Sequence, residues 1–378
     1  LIWLSVFAVC CAGIAWVIAG YPLLLKWIAA RWGRPANKQP QTPKISILIA
    51  VHNGDRFLAD KLDSIVKLDY PRELMEVYVL SDGSTDRTAE IARSYAGHGI
   101  QLLELPKGGK PAALNAGISR STGEILVLTD VRQVLEPGSV RQLVANFADP
   151  TIGVVSGDLP TRKGIDLEEE TTSLYWRYER ALRMNLGRLG STFGATGPFY
   201  AIRRELTSVM PPETLLDDMY LPLGAFFRGY RLIVDETARA FDYPLSIRGE
   251  FRRKVRTLAG NYQIISMYPA LLTPHNRMLF HFLSYKVGRL ALPWLFLGAL
   301  IASFGLPRPW NEIVVTGQLA FYGLAAIDAL LPEKSAFRRL STPARTVVAM
   351  LSAAALGLSV FFVDPQRLWV VTQARRRD

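Results

Sequence analysis

The first 25 residues contain no Asp, Glu, Lys or Arg, and a chain carrying such a run has few folding options. An apolar stretch of roughly 20 residues is long enough to cross a bilayer as one helix. A cleaved secretory signal would open on basic residues and have a shorter apolar core. Here the basic residues Lys26, Arg31, Arg34 and Lys38 follow the run. Positive charge behind a span holds the next segment on the cytoplasmic side, which predicts a cytosolic domain downstream and a multi-pass protein of the cytoplasmic membrane.

The rest of the chain repeats that division. Its 378 residues exceed what one core usually holds, because single cores stop growing near about 250–300 residues. Apolar residues gather at both ends, while the middle has the mixed composition of an α/β domain. Collagen-like, disulfide-rich and disordered classes are thereby excluded. The net charge of +11 does not call for nucleic acid. It sits in clusters beside apolar segments (Lys26 to Lys38; Lys334, Arg338, Arg339 and Arg345; Arg375 to Arg377), where anionic lipid is the natural partner. Cys10 and Cys11 are neighbours inside the first apolar run and read as packing residues.

The pattern divides the chain into five stretches. Residues 1–28 form the first span and residues 29–43, rich in Pro, Gln and Asn, a linker. Residues 44–247 alternate strand-like and helix-like patterns: strands are expected at 45–51, 77–80, 100–105, 125–128 and 152–155. Leu58, Leu62 and Ile65 recur at helical spacing between the first two. Such a βαβα succession predicts an α/β fold with a Rossmann-type, mostly parallel sheet and ligands beyond the strands' carboxyl ends. Residues 248–283 mix Arg and Lys with Leu, Ile, Tyr and Met, as expected of an amphipathic helix in the membrane interface. Residues 284–378 hold about three further spans, at 285–306, 313–331 and 346–362, with no buried charges expected inside them.

Four short motifs carry possible chemistry. In Leu80-Ser81-Asp82-Gly83-Ser84-Thr85-Asp86, Asp82 ends a strand, Gly83 permits an unusual backbone angle and the hydroxyls can cap a helix. Asp82 either completes a well-capped turn or accepts hydrogen bonds from a nucleotide. In Lys107-Gly108-Gly109-Lys110, Lys110 opens a helix, where it either is solvated or meets a phosphate. Asp130 closes the apolar strand Leu126-Val127-Leu128-Thr129, as a turn residue or as a ligand for a metal bridging a diphosphate. Mg²⁺ and Mn²⁺ suit such a site, because they use few carboxylates when phosphate oxygens complete the shell. Asp217 and Asp218 precede a helical pattern, where they are either favourable first-turn residues or supply a general base. A basic cluster, Arg252, Arg253, Lys254 and Arg256, suits lipid headgroups or a leaving diphosphate.

Taken in order, these motifs resemble those of the family 2 glycosyltransferases, and within them the membrane-bound branch of cellulose, hyaluronan and poly-N-acetylglucosamine synthases. The resemblance covers residues 45–256 and implies a GT-A-like fold flanked by transmembrane helices. It places Ala50, His52 and Asn53 at the nucleotide, with His52 where the family has an aromatic residue against uracil. It carries donor binding onto Asp82 and Lys110. The family's Asp-x-Asp metal motif reads Asp130-Val131-Arg132, so Asp130 keeps the metal position and Arg132 stands where the second carboxylate would be, able to offset diphosphate charge. Gly194-Ala195-Thr196-Gly197-Pro198-Phe199 resembles the loop that shapes the acceptor end. Asp218 is the implied base, with Asp217 beside it. Of the family's Gln-x-x-Arg-Trp signature only Arg256 is kept, which weakens the expectation of a long extruded polymer.

The resemblance therefore implies an inverting transfer from a nucleotide diphosphate sugar, a UDP-sugar first, to a glycan or lipid-linked acceptor, with membrane lipids as surroundings and accessory subunits unspecified. A single-sugar transferase acting on polyprenyl phosphate or glycolipid is the nearest alternative. A transporter subunit and a non-catalytic scaffold are the alternatives of a different class.

Overall fold

The computed structural model describes residues 1–160, 167–242, 247–328, 330–332, 335 and 337–368. Lys334 and Arg375 to Arg377, two parts of the basic pattern, lie outside them. The chain forms two compact units. Among the described residues, one comprises 31–160 and 183–242, and the other comprises 1–30, 167–182 and those between 247 and 368.

The first unit is built on an eight-stranded sheet of order β3-β2-β1-β4-β7-β6-β8-β5. β1 (Ile45–Val51) lies between β2 (Met75–Asp82) and β4 (Ile125–Thr129), parallel to both, and β3 (Ile100–Leu105) extends the sheet beyond β2. The sequence makes β1 a central strand because it is apolar on both faces. Ile45, Ile47, Ile49 and Val51 point into one core with Leu58, Leu62 and Ile65 of the helix Asp55–Val66. Leu48 points into the other with Leu80, Leu126 and Leu128. Each fully buried aliphatic side chain stabilises the fold by roughly 1.5–3 kcal/mol, so a polar residue at any of them would loosen the layer it packs into.

Beyond β4 the sheet departs from the simple succession. β7 (Phe199–Arg203) enters antiparallel between β4 and β6 (Ile152–Asp158). β8 (Arg231–Phe241) is parallel to β6, and the two-residue β5 (Val134–Leu135) pairs antiparallel to β8. The sheet is thus mixed and mostly parallel, with the strand order reversing at β1 and β4. In open α/β sheets that reversal opens a crevice at the carboxyl ends of the strands.

The second unit is helical. Among the described residues, three helices are long and apolar enough to cross a membrane: Ile2–Trp32, Leu279–Phe304 and Arg338–Phe361. The first two each contain a π turn, Trp16–Gly20 and Leu283–Val287, and Trp16 Nε1 donates to Ser284 Oγ at 3.2 Å between them. The stretch 313–331, expected as a span, lies largely in the helix Trp310–Asp328. The expectation of no buried charge there is corrected: Asp328 is fully buried and pairs with Arg345 at 2.7 Å. Ser341 and Thr342 also donate to it, and this full set of partners is what makes a buried carboxylate tolerable.

Candidate active site

The carboxyl ends of β1, β2 and β4 bring together every predicted site residue except Arg256, which lies on the helix Ile247–Met267 of the helical unit. Asp82 ends β2 and is only 6% exposed. Its Oδ1 accepts from the Gly108 N–H at 2.6 Å and the Gly109 N–H at 3.0 Å, so it fixes the entry to the helix Gly109–Arg120. The turn after it needs glycine. Gly83 has φ +59°, and a Cβ there would lie 2.8 Å from the Lys107 Cβ.

The β1 loop is laced to this turn. Asn53, at φ +50°, accepts from the Thr85 N–H at 2.8 Å and donates its own N–H to Ser84 Oγ at 3.1 Å. His52 Nδ1 lies 2.7 Å from the Asp82 carbonyl and Nε2 lies 2.6 Å from Lys107 Nζ. A carbonyl only accepts and an ammonium only donates, so Nδ1 carries the proton and Nε2 receives. With both edges engaged, the ring offers its faces. Ala50 is paired with Leu80 at the same end of the sheet.

The charged centre lies at β4. Lys110 Nζ is 2.9 Å from Asp130 Oδ1 and 3.2 Å from Asp217 Oδ2. Burial opposes the Lys110 charge, but Asp130, Asp217 and Asp218 outweigh it and raise its pKa. Asp217 and Asp218 open the helix Asp217–Phe227, where the electropositive end favours carboxylates. Asp217 is buried and Asp218 half-buried. The loop from Gly194 to Pro198 wraps Asp218: the Ala195 N–H donates to its carbonyl at 2.7 Å, and a Cβ on Gly197 would sit 2.8 Å from its Oδ2. Glycine at 197 therefore lets the loop backbone approach that carboxylate closely.

Arg132, expected to offset diphosphate charge, has a carboxylate partner in the structure. It donates from Nε and Nη2 to Asp242 at 2.8 and 3.0 Å, and both side chains are 15% exposed, so a carboxylate already offsets its charge. The residues present fit Mg²⁺ or Mn²⁺ only with help. Asp130 is the one carboxylate of the motif, and the described residues contain no group of three His, Cys, Asp or Glu placed to hold an ion. Phosphate oxygens would have to complete the shell.

Three contributors escaped the sequence reading. Arg183 donates to Thr196 Oγ1 at 2.8 Å, Ser156 Oγ at 3.2 Å and the Gly194 carbonyl at 2.9 Å, holding the loop that wraps Asp218. Tyr200, on β7, is fully buried, and the site carboxylates join burial in raising its pKa. Lys61 is fully buried under the Asp130 turn. A signal for Lys61 was available: it lies three residues after Leu58 and one before Leu62, inside the apolar stripe of a helix.

Residues 46–209 match the family model described as glycosyl transferase family 2. An N-acetylglucosaminyltransferase of Mesorhizobium japonicum is 28% identical over 250 residues, 61% of this chain and 58% of that protein. A poly-beta-1,6-N-acetyl-D-glucosamine synthase of Staphylococcus epidermidis is 23% identical over 247 residues, 63% of this chain and 60% of its own length. The chain thus spans about three fifths of the length of these curated relatives. The mannosyltransferase PcManGT of Pyrobaculum calidifontis, solved with GDP-Man and Mn²⁺, superposes with a TM-score of 0.72 at 24% identity, covering 94% of this chain and 99% of that one. That likeness establishes a shared, GT-A-like fold.

Proposed function

We propose, from the premise that residues 46–209 are a glycosyl transferase family 2 domain, that the chain moves a sugar from a nucleotide diphosphate donor to a glycan or lipid-linked acceptor at the cytoplasmic face of a membrane. The observation that carries this reading is Lys110 held between Asp130 and Asp217, one residue from Asp218, at the carboxyl ends of the central strands. The three long apolar helices support membrane anchorage. The two N-acetylglucosaminyl relatives support N-acetylglucosamine as the sugar, and the family resemblance of the motifs supports UDP as its carrier.

The transfer is a single inverting displacement. Asp218 takes the proton of the acceptor hydroxyl as its oxygen bonds to the anomeric carbon. The bond from that carbon to the diphosphate breaks on the opposite face, and the nucleoside diphosphate leaves with the electron pair. Lys110 stabilises that charge as it develops, and Arg256 is assigned the same role. Fixed charges of this kind are commonly worth about 10²–10³ in rate. His52 stacks on the base, while Ala50, Asn53 and Asp82 shape the nucleotide cradle. Asp130 would hold Mg²⁺ or Mn²⁺ together with donor phosphates, and the ion would supply Lewis-acid stabilisation of the leaving group. Arg132 acts through Asp242, keeping the loop after Asp130 in place.

The test is nucleoside diphosphate release by the full chain in lipid nanodiscs, with UDP-GlcNAc, UDP-Glc, UDP-Gal and GDP-Man, each with Mg²⁺ or Mn²⁺ and membrane lipid extract. One donor should be consumed, its label passing into a glycan or lipid fraction. No release from any donor would overturn the reading. A second outcome, one sugar on a lipid, is favoured by the segment Arg253-Lys254-Val255-Arg256-Thr257, which keeps only Arg256 of the synthase signature. Product length separates the two.

A further inference from the structure

Lys61 sits on the helix Asp55–Val66 with no exposed surface. Its ammonium donates to Thr129 Oγ1 at 2.6 Å and to the Gln133 carbonyl at 2.8 Å. Those two residues bracket the turn that carries Asp130 and Arg132. The same helix grips the far side of the turn through Ser64, whose Oγ accepts from the Leu135 N–H at 3.2 Å. The contact then continues. Lysine has donors only, so the Thr129 hydroxyl must accept from it and turn its own hydrogen elsewhere. It points to the Pro198 carbonyl at 2.9 Å, which also accepts from the Asp130 N–H at 3.2 Å. Pro198 closes the loop whose Gly197 lies against Asp218.

We propose that Lys61 is a positioning residue for the transfer, locking the Asp130 turn and the Gly194-to-Pro198 loop into one arrangement through Thr129 and the Pro198 carbonyl. It touches neither substrate nor the reacting atoms. The inference rests on the transferase reading for its effect on turnover, but not for its effect on the two loops.

A structural role alone does not account for a lysine here. Burying an ammonium is costly, and a neutral side chain of similar size would fill the space without that cost. Burial pushes the Lys61 ammonium down to about 7, with the charge on Asp130 drawing it back upward. What Lys61 supplies beneath the site is first of all its N–H donors to Thr129 and Gln133, with a cation added where it holds its proton. Residues that position a site's charged groups from one shell out commonly contribute about 10–100-fold to activity.

The test compares the full chain with Lys61→Met, which keeps the volume and removes charge and donors, and Lys61→Gln, which keeps N–H donors without charge. Amide hydrogen exchange over residues 128–134 and 194–198 is measured first. Exchange in both segments should quicken in the Met variant and partly recover in the Gln variant, with the helix 109–120 unchanged. At saturating donor, kcat should fall about 10–100-fold for the Met variant, while nucleotide affinity, set by the β1 and β2 loops, changes little. Wild-type exchange in both segments for both variants would overturn the proposal, as would wild-type kcat. If the Met variant melts early, the Gln variant decides by the same readouts. Absence of nucleotide release by the wild type would count against the transferase reading, leaving the exchange result to judge Lys61.

Discussion

At the amino ends of β1, β2 and β4, Glu76 accepts from Ser46 Oγ at 2.7 Å, the Thr122 N–H at 3.0 Å and the Thr122 hydroxyl, and pairs with Lys44 at 2.7 Å. At the carboxyl ends of the same strands, one ammonium, Lys110, is shared between Asp130 and Asp217 with Asp218 nearby, and a second, Lys61, is buried on neutral oxygens. The first cluster gives one carboxylate more partners than it needs. The second gathers Asp130, Asp217 and Asp218 around Lys110 at the strand ends. Similar residue types therefore do different work: the first cluster joins strands, and the second concentrates charged side chains at the strand ends, where a ligand can bind.

The sharpest way to break this contrast is to remove charge at the carboxyl end. Asp218→Asn should cut transfer by about 10²–10⁴, the usual contribution of general base catalysis, while calorimetry finds donor binding retained. Lys110→Met should lose about 10²–10³ in kcat and weaken nucleotide diphosphate binding as well, separating it from Asp218. Asp242→Leu should destabilise the sheet unit by about 3–5 kcal/mol, because it strands the Arg132 charge; adding Arg132→Met should recover most of that in a melting curve. At the amino end, Glu76→Gln should leave kcat at neutral pH unchanged and lower Tm by about 2–4 °C.

The pH dependence of that last variant carries a sign. Burial alone would raise the Glu76 pKa, but the bonds from Lys44, Thr122 and Ser46 outweigh it and lower it from 4.5 to about 2. A carboxylate held more acidic in the folded state stabilises it fully above its unfolded pKa and loses that contribution as pH falls through the folded one. The wild type should therefore outlast Glu76→Gln above pH 4.5 and lose the advantage by pH 2.

What the sequence made legible was local. The run Ile45 to Val51, the helical stripe of Leu58, Leu62 and Ile65, Asp82 at a strand end and Lys110 at a helix start all follow from periodicity and turn chemistry within a few residues. Contacts between distant segments were not legible. Lys61 meets Thr129 across 68 residues and Arg132 meets Asp242 across 110, and neither partner carries a local pattern naming the other. β7 was hidden for a similar reason: Phe199 to Arg203 is short and follows a glycine loop, and only its neighbours β4 and β6 make it a strand. Asp328 shows the same gap in the helical unit, since Arg345 lies 17 positions away.

The central claim is a single displacement with Asp218 as base, and the anomeric configuration of the product tests it most directly. Proton NMR of the bond formed from an α-linked nucleotide sugar should show a β linkage from the first turnover. An α linkage would require a second displacement or attack from the leaving-group face, and would contradict the account.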